Sequence, residues 1–299
     1  MESLPSARPL ERPASLRLGF IRYLAVPSIL TLTVATYAFS LQAPALGVVP
    51  AELLAFVLAS VVMSLCLVGC EQVAPLEHFE ESRHQRLTDV IFNIGTATAL
   101  LGLHPLITGL PALWVGLSEA PLVVQFVAGW AAHDLVLYWW HRALHERGEG
   151  LLWRIHEVHH QPCRMNFMAG GRSHIVEILV TIAALALTKV LLGISAPVML
   201  WLLMMPVMSG AIHHTNADFR MGWLNYLFPG PQMHRAHHDQ DPRAALNYAT
   251  SFPLWDVLFG TAVPLRGGHE TRYGLDYTDD RQTTWRSAHT ITPGADAGG

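Results

Sequence analysis

The chain has 299 residues, of which 51% are hydrophobic and only 14% charged, against roughly 25% charged in an ordinary soluble domain. Its net charge of -4 comes from 19 Lys+Arg and 23 Asp+Glu with no basic stripe, which argues against a nucleic-acid partner. A mean hydropathy of +0.30 comes from long apolar runs and points to a bilayer rather than a soluble core.

In chain order, residues 1–20 carry Arg8, Arg12 and Arg17 without a convincing cleavage site and read as a basic cytosolic tail. Residues 21–70 hold two apolar runs, Leu24 to Ala43 and Ala51 to Cys70, predicting a transmembrane hairpin. Cys66 and Cys70 sit in the second run as packing residues, and with Cys163 they make neither a disulfide framework nor a CxxC site. Glu71 to Thr88 is polar and must leave the hydrocarbon, with Glu77 to Arg86 predicted as a solvated or interfacial helix. Asp89 to Leu117 is longer than one span needs and contains Pro105 and Pro111, which predicts a kinked or broken crossing.

Pro121 to Trp140 is a further span that runs directly into the first histidines. Ile175 to Gly193 and Ala196 to Ile212 follow, and the second ends at His213 and His214. Residues 266–299 form a polar C-terminal tail. Six crossings place every histidine group on the same side as the N-terminal tail. Arg142, Arg147, Arg154, Arg164 and Arg172 crowd that side, while the opposite connectors carry no Lys or Arg, so the histidines face the cytoplasm. The expected fold is all-α: a multi-spanning transmembrane bundle with a cytosolic helical cap.

Most of the 17 histidines fall in four groups between His141 and His238. His141 and His145 are four apart, so a helix puts both on one face, roughly 6 Å apart along its axis. His156, His159 and His160 form an HxxHH pattern, which His234, His237 and His238 repeat. Of the adjacent pair His213 and His214, one is a ligand and the other a supporting or structural group; His214 is counted in the ligand set, and His213 stands as the alternative. Counting His141, His145, His156, His159, His160, His214, His234, His237 and His238 gives more nitrogens than one ion accepts, so two metals are implied.

These motifs resemble the fatty acid hydroxylase and sterol desaturase superfamily from Pro75 to about Thr261. The resemblance is carried by Asp134, Tyr138, Trp139, His141, Arg142 and His145; by Trp153 with His156, His159 and His160; by His214 with Asn216; by Pro231, His234, Arg235, His237 and His238; and by Asn247, Tyr248 and the closing Trp255 to Thr261. Ala249 stands where the family often has Gly. The resemblance makes 71–265 the hydroxylase-like domain. It implies two non-heme iron ions, O2 as co-substrate, an external electron donor of ferredoxin or cytochrome b5 type, and a lipid substrate that is hydroxylated or desaturated. No catalytic residue beyond the metal ligands is expected, and the chain carries no flavin or nicotinamide fingerprint. A zinc-dependent membrane hydrolase and a metal transporter are the competing classes.

Other residues have plainer readings. His174 is either a ligand or a group that orients one. Asp134 either accepts from an imidazole N–H or packs helices. His104 and His133 are expected in the core, and His78, His84, His269 and His289 at the surface. Tyr138, Trp139, Trp140 and Trp153 are expected as interfacial anchors.

Overall fold

The computed structural model describes residues 16–40, 51–80, 82–146, 150–228, 230–240, 246–263 and 272–275. The 266–299 tail apart from 272–275, most of the 1–20 tail, the 41–50 connector, Arg147, His269 and His289 lie outside the described residues. Among those described the secondary structure is helical, with one isolated bridge between Pro75 and Ala217. The helices are α1 (Leu16–Tyr23), α2 (Ala25–Ser40), α3 (Ala51–Val73), α4 (Arg83–Thr108), α5 (Leu122–Glu146), α6 (Leu151–His160), α7 (Ile175–Leu192), α8 (Ala196–His214), α9 (Pro231–His237) and α10 (Leu254–Leu258).

Five of these, α3, α4, α5, α7 and α8, are long and apolar enough to cross a membrane. The expected sixth span is described only as far as Ser40. Helix α2 follows the expected run for 16 residues to that point, about 24 Å at 1.5 Å per residue. Pro27 explains the break between α1 and α2: its ring opposes the carbonyl of Tyr23 four residues back, and α1 ends at Tyr23. Leu24 and Ser28 still donate backbone hydrogen bonds to Phe20 and Leu24, so α1 and α2 follow each other closely.

The predicted broken crossing also needs correction. Helix α4 begins at Arg83, six residues early, because Ser82 and Gln85 close a capping box of two 3.1 Å hydrogen bonds. Pro105 lies in its last turn, so the helix stops at Thr108 rather than breaking mid-membrane. Trp114 then donates through Nε1 to Leu191 O, and Leu117 N to Leu192 O, folding the connector onto the end of α7. Residues 77–80 and Ser82 are not helical, and the predicted helix from Glu77 is seen only from Arg83, at the start of α4.

The spans alternate in direction. The last turn of α3 (Glu71), the N-terminal half of α4 (Asn93), the end of α5 (His141), the first turn of α7 (Glu177) and the end of α8 (His214) all lie at one end: Glu71 and Asn93 bond to residues 167 and 168, Glu71 also accepts from Asn216 N just past α8, and His141 and Glu177 both meet His156. Arg22 pairs with Asp218 at 2.6 Å, which brings the end of α1 to this same end. Helix α8 is the central post. It is 61% buried, against 17–33% for the other four spans, and its Met199, Leu202, Leu203 and Met208 are core residues. Outward-facing apolar side chains gain nothing by leaving lipid, so association rests on close packing.

One buried ion pair anchors the histidine end. Arg172, in the loop after the three-residue 3₁₀ turn Ala169–Gly171, donates to Asp89 of α4, and both side chains are at most 2% exposed. Arg172 is therefore neutralised inside the protein and does not belong with the interfacial arginines. Removing one partner strands a buried charge, so Arg172→Met should cost about 3–5 kcal/mol, whereas Asp89→Leu/Arg172→Met should cost much less. Thermal unfolding of the detergent-solubilised protein measures both.

Candidate metal centre

The helix ends bring nine of the histidines into two groups, in each of which the ligand-capable nitrogens lie within 4.8 Å of one another. The first group is His141, His145, His156, His160 and His237; the second is His159, His214, His234 and His238. Helix α5 serves only the first and α8 only the second. Each HxxHH segment is divided: α6 sends His156 and His160 to the first group and His159 to the second, while His237 points to the first and His234 and His238 to the second. One helical turn thus reaches both points, and the groups abut, with the His160 and His238 rings stacked at 4.3 Å.

Five rings have an acceptor at Nδ1. His141 donates to Tyr248 O at 2.7 Å, His159 to Arg172 O at 3.1 Å, His214 to Gly210 O at 2.8 Å and His237 to Leu246 O at 3.0 Å. His156 donates to the Glu177 carboxylate at 2.8 Å. A neutral imidazole that gives its proton from Nδ1 presents a lone pair at Nε2. These Nε2 atoms face one another: His141 and His156 approach to 3.0 Å, and His238 lies 3.1 Å from His214 and 3.2 Å from His159. The Nε2 atoms of His145 and His237 are buried without a hydrogen-bond partner among the described residues. Lone pairs converging in a buried site repel unless a cation sits among them, so both groups fit a metal ion.

The electrostatics agree. Burial lowers the His159 imidazole to about 4. Burial first, then the neighbouring imidazoles, holds His156, His160, His234, His237 and His238 well below the ordinary histidine value. All six stay neutral at physiological pH, the form that ligates metals.

The acceptors are themselves built in. Asn247 adopts a left-handed backbone (φ 66°), which Asn tolerates. The carbonyls on either side of it, Leu246 and Tyr248, serve His237 and His141. Asp256 clamps this turn, accepting from Tyr248 N (2.7 Å), Ala249 N (2.9 Å) and the Thr261 hydroxyl (2.7 Å). Gly170 allows the loop to touch α8, since a Cβ there would lie 2.6 Å from Gly210 O and 2.9 Å from His214 Nδ1. Sequence reasoning missed Glu177 as a partner of His156. A lone carboxylate in the first turn of an otherwise apolar span was the available signal.

Several expected site residues stand elsewhere. His213 lies in neither group and packs its ring 5.0 Å from that of His234. His174 is also outside both; its Nδ1 accepts from Val176 N as the N-cap of α7, and its backbone N–H donates to Glu177, so it acts on His156 only through that carboxylate. Asp134 accepts from Ser251 N, Ser251 Oγ and Phe252 N, and no histidine contact to it is found among the described residues; it ties the 251–252 segment to α5. Asn216 exchanges hydrogen bonds with the backbone of Glu77 and holds the segment after α3. Tyr138 is fully buried, its hydroxyl 2.9 Å from that of Thr261. Trp153 covers the rings of His145 and His160. Trp139 is half exposed, as an anchor would be. His133 is in the core, and His78 and His84 are exposed.

An apolar cavity of about 610 Å³ adjoins the centre and is lined by His141, His156, His159, His213, His214 and His234 at one end. Its remaining walls come mainly from α3, α4, α5, α7 and α8.

Residues 126–261 match the family model for fatty acid hydroxylase, a shorter stretch than the resemblance from Pro75. Ornithine lipid hydroxylase OlsE of Rhizobium tropici is 35% identical over 145 residues, covering 48% of this chain and 43% of that protein. An alkylglycerol monooxygenase of Caenorhabditis elegans is 30% identical over 145 residues, covering 48% and 28%. A very-long-chain aldehyde decarbonylase, GL1-10 of Oryza sativa subsp. japonica, is 30% identical over 165 residues, covering 54% and 52%. The chain therefore spans about half or less of these relatives. No solved structure matches.

The clamp at Asp256 yields a direct expectation. Asp256→Ala strands two buried backbone N–H groups and should destabilise the protein by about 2–4 kcal/mol. Asp256→Asn, which keeps one acceptor oxygen, should lose less; differential scanning calorimetry of the two variants separates them.

Proposed function

Residues 126–261 match the fatty acid hydroxylase family model, and from that match we propose that the chain is a membrane-bound non-heme di-iron oxygenase that hydroxylates a C–H bond of a lipid. The observation that carries the reading is the pairing of two abutting imidazole groups with an apolar cavity that runs from them into the span region. His141, His145, His156, His160 and His237 hold one iron, and His159, His214, His234 and His238 the other. Bound there, the iron pair supplies reductive activation of O2 for attack on an unactivated C–H bond.

The chain's own residues orient and enclose. Backbone carbonyls and Glu177 fix five rings in the tautomer that aims Nε2 inward, which also raises ligand basicity. Leu137, Leu144 and Ile178 line the cavity together with the histidines and give the reacting bond dry walls. Electrons come from an external carrier of ferredoxin or cytochrome b5 type. The side that carries Arg142, Arg154 and Arg164 faces the cytoplasm. Hydroxylation is favoured over desaturation because two of the relatives are a lipid hydroxylase and a monooxygenase.

The competing classes fit less well. Five imidazoles in one group exceed the three ligands plus water of a catalytic zinc site. Transport sites lie near the bilayer midplane, whereas His145 and His214 are the last residues of their spans.

Alanine at any of the nine ligand positions should lower iron per chain and reduce turnover at least ~100-fold, while His213→Ala should keep both ions. Iron analysis of anaerobically purified protein checks this, and full metal content in every single variant would refute the assignment. Lipids from cells with and without the gene, grown under 18O2, should differ by a species carrying one added 18O. A product formed equally without O2 would favour the hydrolase.

A further inference from the structure

The cavity has a side opening. Helix α3 packs on α2 and α8, and α4 packs on α7, with little contact between α3 and α4. Each nevertheless turns a regular stripe toward the gap. Val57, Val61, Ser64 and Val68 recur at helical spacing on α3, opposite Ala97 and Leu101 on α4. Val57, Val61 and Ala97 are exposed at the lip. Two largely apolar stripes inside a bilayer, separated rather than interlocked, leave a space that hydrocarbon fills without cost and water does not.

Its dimensions and direction narrow the occupant. Eleven residues separate Val57 from Val68, a groove of ~17 Å at 1.5 Å per residue. One leaflet is about half of the ~30 Å hydrocarbon core, or ~15 Å. The end of α3 beyond Val68 lies at the histidine end, because Glu71 accepts from Phe167 N and Asn216 N there. The groove thus begins beside the imidazoles, at the ends of the spans, and descends one leaflet deep.

Resting on the lipid-oxygenase reading, we propose that the slot between α3 and α4 is a lateral portal for one acyl or alkyl chain of a bilayer lipid. That lipid belongs to the leaflet on the histidine side, and the bond attacked lies at the head-group end of the chain. The chain enters sideways and stays parallel to its neighbours, so the lipid need not leave the membrane. Head-group atoms and the first carbons stand level with His141, His156 and His214, while the chain terminus lies near Val57.

The test uses the full chain in nanodiscs of 1-palmitoyl-2-oleoyl phosphatidylcholine, extracted, washed in detergent and weighed by native mass spectrometry. The wild type should retain one lipid per chain. Ser64→Trp and Ala97→Trp, which fill the slot from its two walls, should lower that occupancy by about tenfold. Val34→Trp, on the exposed face of α2, should leave it unchanged. Ala97 lies on the lip, so its variant decides the question even if Ser64→Trp fails to fold. Wild-type retention in the groove variants would overturn the portal. Fragmentation of the 18O-bearing lipid should place the oxygen within the head group or first carbons, and an oxygen beyond mid-chain would overturn the depth assignment. A lipid retained by the protein with no 18O product in cells would sink the oxygenase reading and leave the portal standing.

Discussion

Neutral imidazoles facing one another in a buried space make the central constraint on this molecule. Their Nε2 atoms come within 3.0–3.2 Å, and such lone pairs repel. The rings must be held by something other than their mutual contacts. Backbone carbonyls at Gly210, Arg172, Leu246 and Tyr248 do this, together with Glu177. Each of those acceptors is in turn fixed by an element of the fold: the end of α8, the Asp89–Arg172 pair, the Asn247 turn clamped by Asp256, and the first turn of α7.

The membrane shapes how that support is delivered. Spans alternate in direction, so every second helix end returns to the histidine side, and the segments between them are long enough to fold back over those ends. Helix α8 can stand at the centre because its Met and Leu side chains pack in all directions. The other spans bury one face and offer the other to lipid. Where α3 and α4 decline to pack, the apolar cavity reaches the bilayer, which joins the chemistry of the helix ends to the hydrocarbon of the spans.

Much of the site was legible in the sequence because helical periodicity is local. HxxxH and the two HxxHH segments can only place imidazoles on a common side of a turn, and their position after apolar runs assigns them to span ends. Less legible was how each HxxHH divides, since a turn of helix covers a wide arc and which ring serves which point depends on where α5 and α8 stand. The same limit applies to His213 and His214. Adjacent residues on a helix point about 100° apart, so only one can meet His234 and His238 at the second group. Asp134 misled for a related reason. Its place on the helix of His141 suggested an imidazole partner, but its carboxylate meets the backbone of residues 117 and 118 positions later in the chain, which no local pattern announces.

By itself the sequence determined the all-α spanning architecture, the nine imidazoles and their gathering at one end, because hydropathy and helical spacing act over a few residues at a time. Tertiary structure alone decided the division into groups of five and four, the recruitment of Glu177 and the Tyr248 carbonyl, and the opening between α3 and α4. Those features depend on how separate helices pack, and packing is set by contacts between residues far apart in the chain.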